Sequence, residues 1–310
     1  MPSPSETTVL RLSILVTVGV ALFGIVFGVL SGSFSITFDG IYALADASMS
    51  LLALTVARLI ADYGSRPEAS GRLRARFSTG FWHLEPIVLG LNGTLLMAVS
   101  IYGFVNAVIS LLRGGHELKF DFAIVYAIIT LAACIAMAVS ATRANRTLKS
   151  DFVALDAKAW IMSGGITSAL LIAFVLGAAV KDTQFDWIRP YVDPAVLALV
   201  SLVIIPLPVR TVRQALADML LIAPRAMTDQ VHAVAQAAVE RHGFLSFRVY
   251  LAKVGRARQI ELYFIVPRGM PPRPIEYWDG LRDEIGDAIG GEGPDRWLTI
   301  AFTADLEWAE

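Results

Sequence analysis

The chain has 310 residues, of which 55% are hydrophobic and 17% charged, whereas an ordinary soluble domain carries roughly a quarter charged residues. Lys and Arg number 26 and Asp and Glu 27, so the formal net charge of -1 gives no reason to expect nucleic-acid binding. The one cysteine, Cys134, excludes an intrachain disulfide and a CxxC metal clamp. The composition therefore indicates a protein of the lipid bilayer.

Six apolar segments are long enough to cross a membrane, because a helix needs about 20 mostly apolar residues to span the hydrocarbon core. They run roughly over residues 9–31, 35–60, 84–112, 120–142, 153–180 and 191–215. The first segment is too long for a signal-peptide core, so we expect it to be retained. The prediction is an all-α six-helix transmembrane domain over residues 1–220.

The short loops differ in positive charge. Loop 2–3 contains Arg66, Arg72, Arg74 and Arg76, and loop 4–5 contains Arg143, Arg146 and Lys149. Loop 1–2 has no basic residue. Because cytoplasmic loops keep positive charge, we expect both termini in the cytoplasm and a multi-pass protein of the cell's inner membrane.

Residues 221–310 have the composition of a small soluble domain. Their pattern gives a helix (229–241), two alternating strands (247–254 and 259–266), a second helix (274–289) and a last strand (297–303). The α-β-β-α-β order predicts a ferredoxin-like α+β cytoplasmic domain with its helices on one face of the sheet.

Few ionisable residues lie inside the apolar segments, and each is costly there unless it is paired or hydrated. Segment two contains Asp39 and Asp46, and segment five contains Asp156 and Lys158. We expect Lys158 to reach the cytoplasmic interface. The three carboxylates are therefore the first candidates for function.

Helical spacing places polar residues in one stripe on each of these two segments. The stripes consist of Asp39, Tyr42, Asp46 and Ser50 in segment two, and of Asp156, Trp160 and Ser163 in segment five. If the stripes face each other, their oxygen atoms could hold a divalent cation of the Mg²⁺ or Mn²⁺ type. They could also bind protons.

Several of these residues have an alternative structural interpretation. Asp39 lies near the start of its segment and could be an interfacial residue or a helix cap, whereas Tyr42 and Trp160 could simply pack. Asn92 and Asn106 in segment three are expected to hydrogen-bond across helices. The four histidines are scattered without the spacing of a zinc motif.

Three short motifs resemble the cation diffusion facilitator family of proton-coupled metal exporters. They are YALADASMSLLAL (42–54), FSTGFWHLEP (77–86) and YVDPAVLALVSL (191–202). The first places Asp46 on the strongest acidic position of the family's second helix. The second places Gly80 and Glu85 at the entry to helix three. The third places Asp193 and Pro194 at the start of helix six, so the resemblance covers nearly the whole chain.

The ligand positions depart from the family pattern of a His-or-Asp-x-x-x-Asp pair on helices two and five. The first position on helix two is Tyr42. On helix five, either Asp156 is followed by Trp160, which cannot coordinate a metal, or a shifted register gives Ala159 and Ser163. Both registers leave the ligand set incomplete, which argues against zinc-type coordination but is compatible with an oxygen-rich site.

The resemblance implies a homodimeric antiporter that exports a divalent cation in exchange for protons. The ion would be Mn²⁺, Fe²⁺, Co²⁺ or Zn²⁺, with oxygen ligands favouring Mn²⁺ or Fe²⁺, and no cofactor would be bound permanently. The candidate metal-site residues are Asp46, Asp156, Tyr42, Asp39 and Ser163.

The C-terminal domain would join the dimer rather than sense metal, because Phe247 and Phe302 stand where histidines are expected. One alternative is a non-transporting scaffold or partner subunit of the same fold. Another is a transporter of a different cation, such as an organic cation held against Trp160 by cation–π attraction. We do not expect an enzyme, because the sequence shows no nucleophile–base pair and no cofactor-binding loop.

Overall fold

The structure is a computed structural model that describes residues 6–65, 81–148, 151–255, 257–293 and 295–309. The predicted basic residues Arg66, Arg72, Arg74, Arg76 and Lys149 lie outside the described residues, as does the start of the FSTGFWHLEP motif with Gly80.

Six helical spans in the described chain are long and apolar enough to cross a membrane. Five are single helices: α1 (Glu6–Ser31), α2 (Phe34–Ser65), α3 (Leu84–Leu112), α4 (Phe120–Leu148) and α5 (Asp151–Ala179). The sixth span, Asp186–Met219, contains α6 (Arg189–Ile204) and α7 (Val209–Met219). The prediction of six spans is confirmed.

The sixth segment is not one continuous helix, as the prediction of 191–215 assumed. Helix α6 ends at Ile204 and α7 begins at Val209. Pro206 and Pro208 lie between them. Proline lacks the backbone N–H and disfavours a helical conformation in the residue before it. Two prolines so close together therefore explain the break.

Pro194 lies inside α6 rather than at its start, because the helix already begins at Arg189. Without an N–H, Pro194 cannot donate to the carbonyl of Pro190, four residues earlier. The backbone N–H of His116 donates to that carbonyl instead, at 3.0 Å. The loop between α3 and α4 thus compensates for a proline within α6.

Glycines let α1 and α2 approach closely. A Cβ atom on Gly40 would lie 2.7 Å from the carbonyl oxygen of Ala21, and one on Gly28 would lie 2.5 Å from the backbone nitrogen of Thr37. Real side chains do not tolerate such distances, and small residues are the usual means of bringing membrane helices together. These two glycines are therefore required by packing.

The chain forms two compact units: Met1–Leu51 with Asn92–Arg210, and Leu52–Leu91 with Thr211–Glu310. In the first unit, Tyr126 of α4 and Phe174 of α5 are almost completely buried in one apolar cluster. In the second unit, the buried Asp218 of α7 pairs with Lys253 at 3.5 Å and accepts a hydrogen bond from Gln214 at 2.8 Å.

The C-terminal part has the predicted α-β-β-α-β order. Its elements are α8 (Arg225–His242), β1 (Ser246–Val254), β2 (Ala257–Ile265), α9 (Ile275–Ile289) and β3 (Arg296–Thr303). β1 and β2 pair antiparallel, β2 and β3 pair parallel, and the strand order is β1-β2-β3. The crossover that a parallel pair requires contains α9.

The core of this α+β part lies between the helices and one face of the sheet. Alternate residues of β2, Ile260, Leu262 and Phe264, are buried against Val231 of α8 and Ile285 of α9. Their spacing of two is that of one face of a strand. The sequence pattern thus predicted this strand, over residues 259–266, and the packing of the helices on one face of the sheet.

Candidate cation site

Asp46 lies on α2 and is partly buried. The polar side chain of Asn92, on α3, lies beside its carboxylate. The predicted interhelical hydrogen bond is wrong for Asn106, whose amide donates to the carbonyl of Tyr102 in its own helix at 2.8 Å.

Asp39 lies in the second turn of α2 and accepts a hydrogen bond of 2.8 Å from the hydroxyl of Tyr126 on α4. The Tyr126 ring stacks on Phe23 of α1, with 5.7 Å between the ring centroids. Asp39 thus contacts a neighbouring helix. It does not cap α2, because the backbone N–H of Phe34, at the start of this helix, binds the carboxylate of Asp193.

Asp156, near the start of α5, contacts α1. Its Oδ1 accepts a hydrogen bond of 2.6 Å from the hydroxyl of Ser13. The same hydroxyl oxygen accepts a hydrogen bond of 2.8 Å from the indole N–H of Trp160. The second carboxylate oxygen, Oδ2, is buried and has no hydrogen-bond partner among the described residues. Asp156 and Trp160 therefore share a face, as their spacing predicted.

Ser163 and Tyr42 lie in different surroundings. The thiol of Cys134 on α4 lies 3.6 Å from the hydroxyl of Ser163. The ring of Tyr42 packs beside Phe38, with 5.8 Å between centroids, and against the cluster that contains Leu197 of α6. Tyr42 thus takes part in packing, the structural interpretation that its sequence position allowed.

Each predicted carboxylate therefore lies beside a polar side chain of a different helix: Asp46 beside Asn92, Asp39 beside Tyr126, and Asp156 beside Ser13. Within the described ranges, no group of three or more His, Cys, Asp or Glu side chains could hold a metal ion. Any cation site built from these residues would use carboxylate oxygens together with neutral oxygen ligands, a set suited to harder cations.

A second acidic centre, around Asp193, lies at the start of α2. The Asp193 carboxylate accepts hydrogen bonds from the hydroxyls of Ser33, at 2.5 Å, and Ser35, and from the backbone N–H of Phe34 at 2.9 Å. Nε2 of His116 lies 3.1 Å from it. A carboxylate here satisfies the first N–H groups of the helix and complements its dipole.

Sequence reasoning missed Ser13, Tyr126 and the partners of Asp193. One local signal was present: Ser33 directly precedes α2, a position typical of an N-cap. Its hydroxyl accepts a hydrogen bond from the backbone N–H of Ile36 at 3.1 Å. The other partners lie far away in the sequence and gave no local signal.

Six apolar spans, several of them with partly or fully buried carboxylates, define an integral, multi-pass α-helical membrane protein. The family model of the cation efflux transmembrane domain matches residues 10–220. This match covers more than half of the chain, which therefore belongs to the cation efflux family. A search of curated proteins returned no match. The chain is a metal cation transporter of a family whose members are not enzymes.

Proposed function

We propose that the chain exports a divalent cation from the cytoplasm in exchange for protons, with Asp46 and Asp156 as the ion-binding carboxylates. Asp39, Tyr42 and Ser163 are proposed to complete the polar route. The proposal rests on one oxygen of Asp156. Its Oδ2 is buried and has no hydrogen-bond partner among the described residues. An oxygen buried in this way is costly unless a ligand uses it.

Exchange follows from competition for the same oxygens. A carboxylate in a low-dielectric site favours either a proton or a cation close by. Cation binding displaces protons, and protonation releases the cation. Alternating access of Asp46 and Asp156 to the two sides of the membrane would then couple the two flows in opposite directions.

The donor set favours Mn²⁺ or Fe²⁺ over Zn²⁺. Asp46 and Asp156 supply carboxylate oxygens, whereas Trp160 supplies no ligand atom and its N–H is bound to Ser13. Zn²⁺ in proteins prefers sites with nitrogen or sulfur ligands, and oxygen-rich sites suit the harder ions. Co²⁺ and Zn²⁺ belong in the same test as the less favoured ions.

We further propose that residues 221–310 are a cytoplasmic domain that joins two copies of the chain, with both termini in the cytoplasm. The sheet face opposite the helices carries aromatic residues. Tyr250 on β1 is 46% exposed and Trp297 on β3 is 45% exposed, and Trp308, which follows β3, is 76% exposed. Exposed aromatic residues are typical of the core of protein interfaces.

The alternative of an organic cation at Trp160 has less support. The Trp160 side chain is buried, with 6% exposure, and packs with Cys134 and Met137. Cation–π binding requires access to a ring face. The other alternative, a non-transporting scaffold of the same fold, predicts no metal flux in the experiment below.

The test is metal flux in reconstituted vesicles with a pH gradient, using Mn²⁺, Fe²⁺, Co²⁺, Zn²⁺ and Cd²⁺. We expect flux of at least one metal with opposite proton movement, reduced at least about tenfold by Asp46→Asn and by Asp156→Asn because each removes a charged ligand. Asp182→Asn is the control, because Asp182 is exposed. Absence of flux for every metal, with folded protein confirmed, would favour the non-transporting scaffold.

A further inference from the structure

Ser13 links two side chains of α5 from a position on α1. Its hydroxyl lies 2.6 Å from Oδ1 of Asp156 and 2.8 Å from Nε1 of Trp160. Ser13 is 3% exposed and Trp160 6% exposed, so water does not compete freely for these hydrogen bonds. Together with the partly buried Asp156 they form a polar group, which we call the Ser13 bridge.

Chemistry fixes the direction of the hydrogen bonds in the Ser13 bridge. The indole nitrogen of Trp160 only donates, so the Ser13 oxygen accepts from it. The single hydroxyl hydrogen of Ser13 is then directed to the Asp156 carboxylate, which accepts. Trp160 is therefore linked to Asp156 through the Ser13 hydroxyl: its N–H donates to Ser13, and Ser13 donates to the carboxylate.

We infer that Ser13 is a positioning residue of the cation site, which holds Oδ1 of Asp156 in place and leaves Oδ2 as the oxygen that meets the cation. The inference rests on the proposed function, since it assigns Asp156 to cation binding. It accounts for Oδ2, which is buried without a partner among the described residues. It also explains how a tryptophan fits beside a ligand: Trp160 orients Ser13.

Packing alone does not explain a hydroxyl at this position. Val16 packs beside Trp160, and Val9 and Leu10 pack against Val153 and Ala157 of α5, so the neighbouring contacts of α1 are apolar. An alanine at position 13 would preserve such packing. It would also leave the Trp160 N–H and Oδ1 of Asp156 without their partner, which is unfavourable for buried groups.

The experiment measures the concentration dependence of flux in vesicles containing the full chain, with the metal that the native chain transports and beginning with Mn²⁺. Ser13→Ala should raise KM about tenfold with little change in the maximal rate, because a freely rotating carboxylate binds the cation less well. Ser13→Thr keeps the hydroxyl and should restore KM to within about twofold of the native value.

Two further variants define the role of the bridge. Trp160→Phe removes the N–H donor but keeps an aromatic ring, and should raise KM by about threefold because Ser13 is held less firmly. Ser168→Ala is the matched control, since the Ser168 hydroxyl donates to the carbonyl of Gly164 within α5 at 2.7 Å. It should leave KM unchanged.

The outcomes separate this inference from the proposed function. If the native chain transports metal and Ser13→Ala keeps the native KM, the positioning role is refuted and the antiporter stands. If Ser13→Thr fails to restore KM, the hydroxyl is not the relevant group. If Ser13→Ala does not fold, KM of Ser13→Thr and Trp160→Phe decides in its place. If the native chain moves no metal, the proposed function fails, and the inference fails with it.

Discussion

Asp193 on α6 and Asp156 on α5 both lie in membrane-spanning segments and both bind serine hydroxyls, but their oxygens are satisfied to different extents. Both oxygens of Asp193 accept hydrogen bonds from the start of α2, and His116 lies beside them. Asp156 receives a hydrogen bond from Ser13 on one oxygen only, and the other has no partner within the described chain.

This difference separates two uses of an acidic residue in a membrane. A carboxylate whose acceptor sites are all occupied by N–H and O–H donors stabilises the fold, because it compensates the start of a helix. A carboxylate that keeps a free oxygen can bind a cation. The acidic residue type alone does not distinguish Asp193 from Asp156, whereas their hydrogen bonds do.

The largest effect on stability is expected at Asp193. Asp193→Asn replaces one acceptor oxygen by an NH₂ group that faces the hydroxyl and N–H donors at the start of α2. The free energy of unfolding should fall by about 3 kcal/mol, because these buried donors lose the carboxylate that satisfies them. Thermal unfolding in detergent measures this change. An unchanged unfolding temperature would contradict the assignment of Asp193 to structure.

An intermediate effect is expected at Tyr126, the partner of Asp39. Tyr126→Phe removes the hydroxyl that donates to Asp39 at 2.8 Å while keeping the buried ring. Loss of this hydrogen bond should lower the free energy of unfolding by about 1–2 kcal/mol, measured in the same way. A stability loss as large as that of Asp193→Asn would show that Asp39 belongs with Asp193 as a structural carboxylate.

The smallest effect is expected at Glu284 on α9, whose carboxylate is exposed. A hydrogen bond from the Arg241 guanidinium holds the pKa of Glu284 below its usual range, with His242 adding to the effect. A lowered folded-state pKa contributes stability above the unfolded-state pKa, and that contribution is lost as pH falls through the folded-state pKa. Glu284→Gln should therefore unfold at a slightly lower temperature than the native chain at neutral pH.

Acidification tests the sign of the Glu284 effect. The difference between native chain and Glu284→Gln should disappear at a pH below the folded-state pKa, because both chains then carry a neutral group at position 284. Thermal unfolding of the full chain at a series of pH values measures it. A difference that grows on acidification would refute the role of Arg241.

The sequence predicted the six spans because apolar length is a local property. It predicted the C-terminal order because the alternation in β2 is local as well. The break between α6 and α7 is also encoded locally, by Pro206 and Pro208, so the sequence contained the signal that the predicted segment 191–215 is not one helix.

The candidate site was predictable only in part. The cost of charge in a membrane pointed to Asp46 and Asp156 as candidates. Their partners were beyond sequence reasoning, because Ser13 and Asp156 are 143 residues apart and meet only through helix packing. For the same reason, the contact of Asp193 with the start of α2 appeared only in the structure.

The most direct test compares Asp156→Asn with Asp193→Asn in the same vesicles and detergent, recording metal flux per folded molecule and the unfolding temperature. We expect Asp156→Asn to lose at least about tenfold in flux at a nearly native unfolding temperature, and Asp193→Asn to unfold at a lower temperature with near-native flux per folded molecule. Native flux in Asp156→Asn, or lost flux without lost stability in Asp193→Asn, would contradict the division of roles between these two carboxylates.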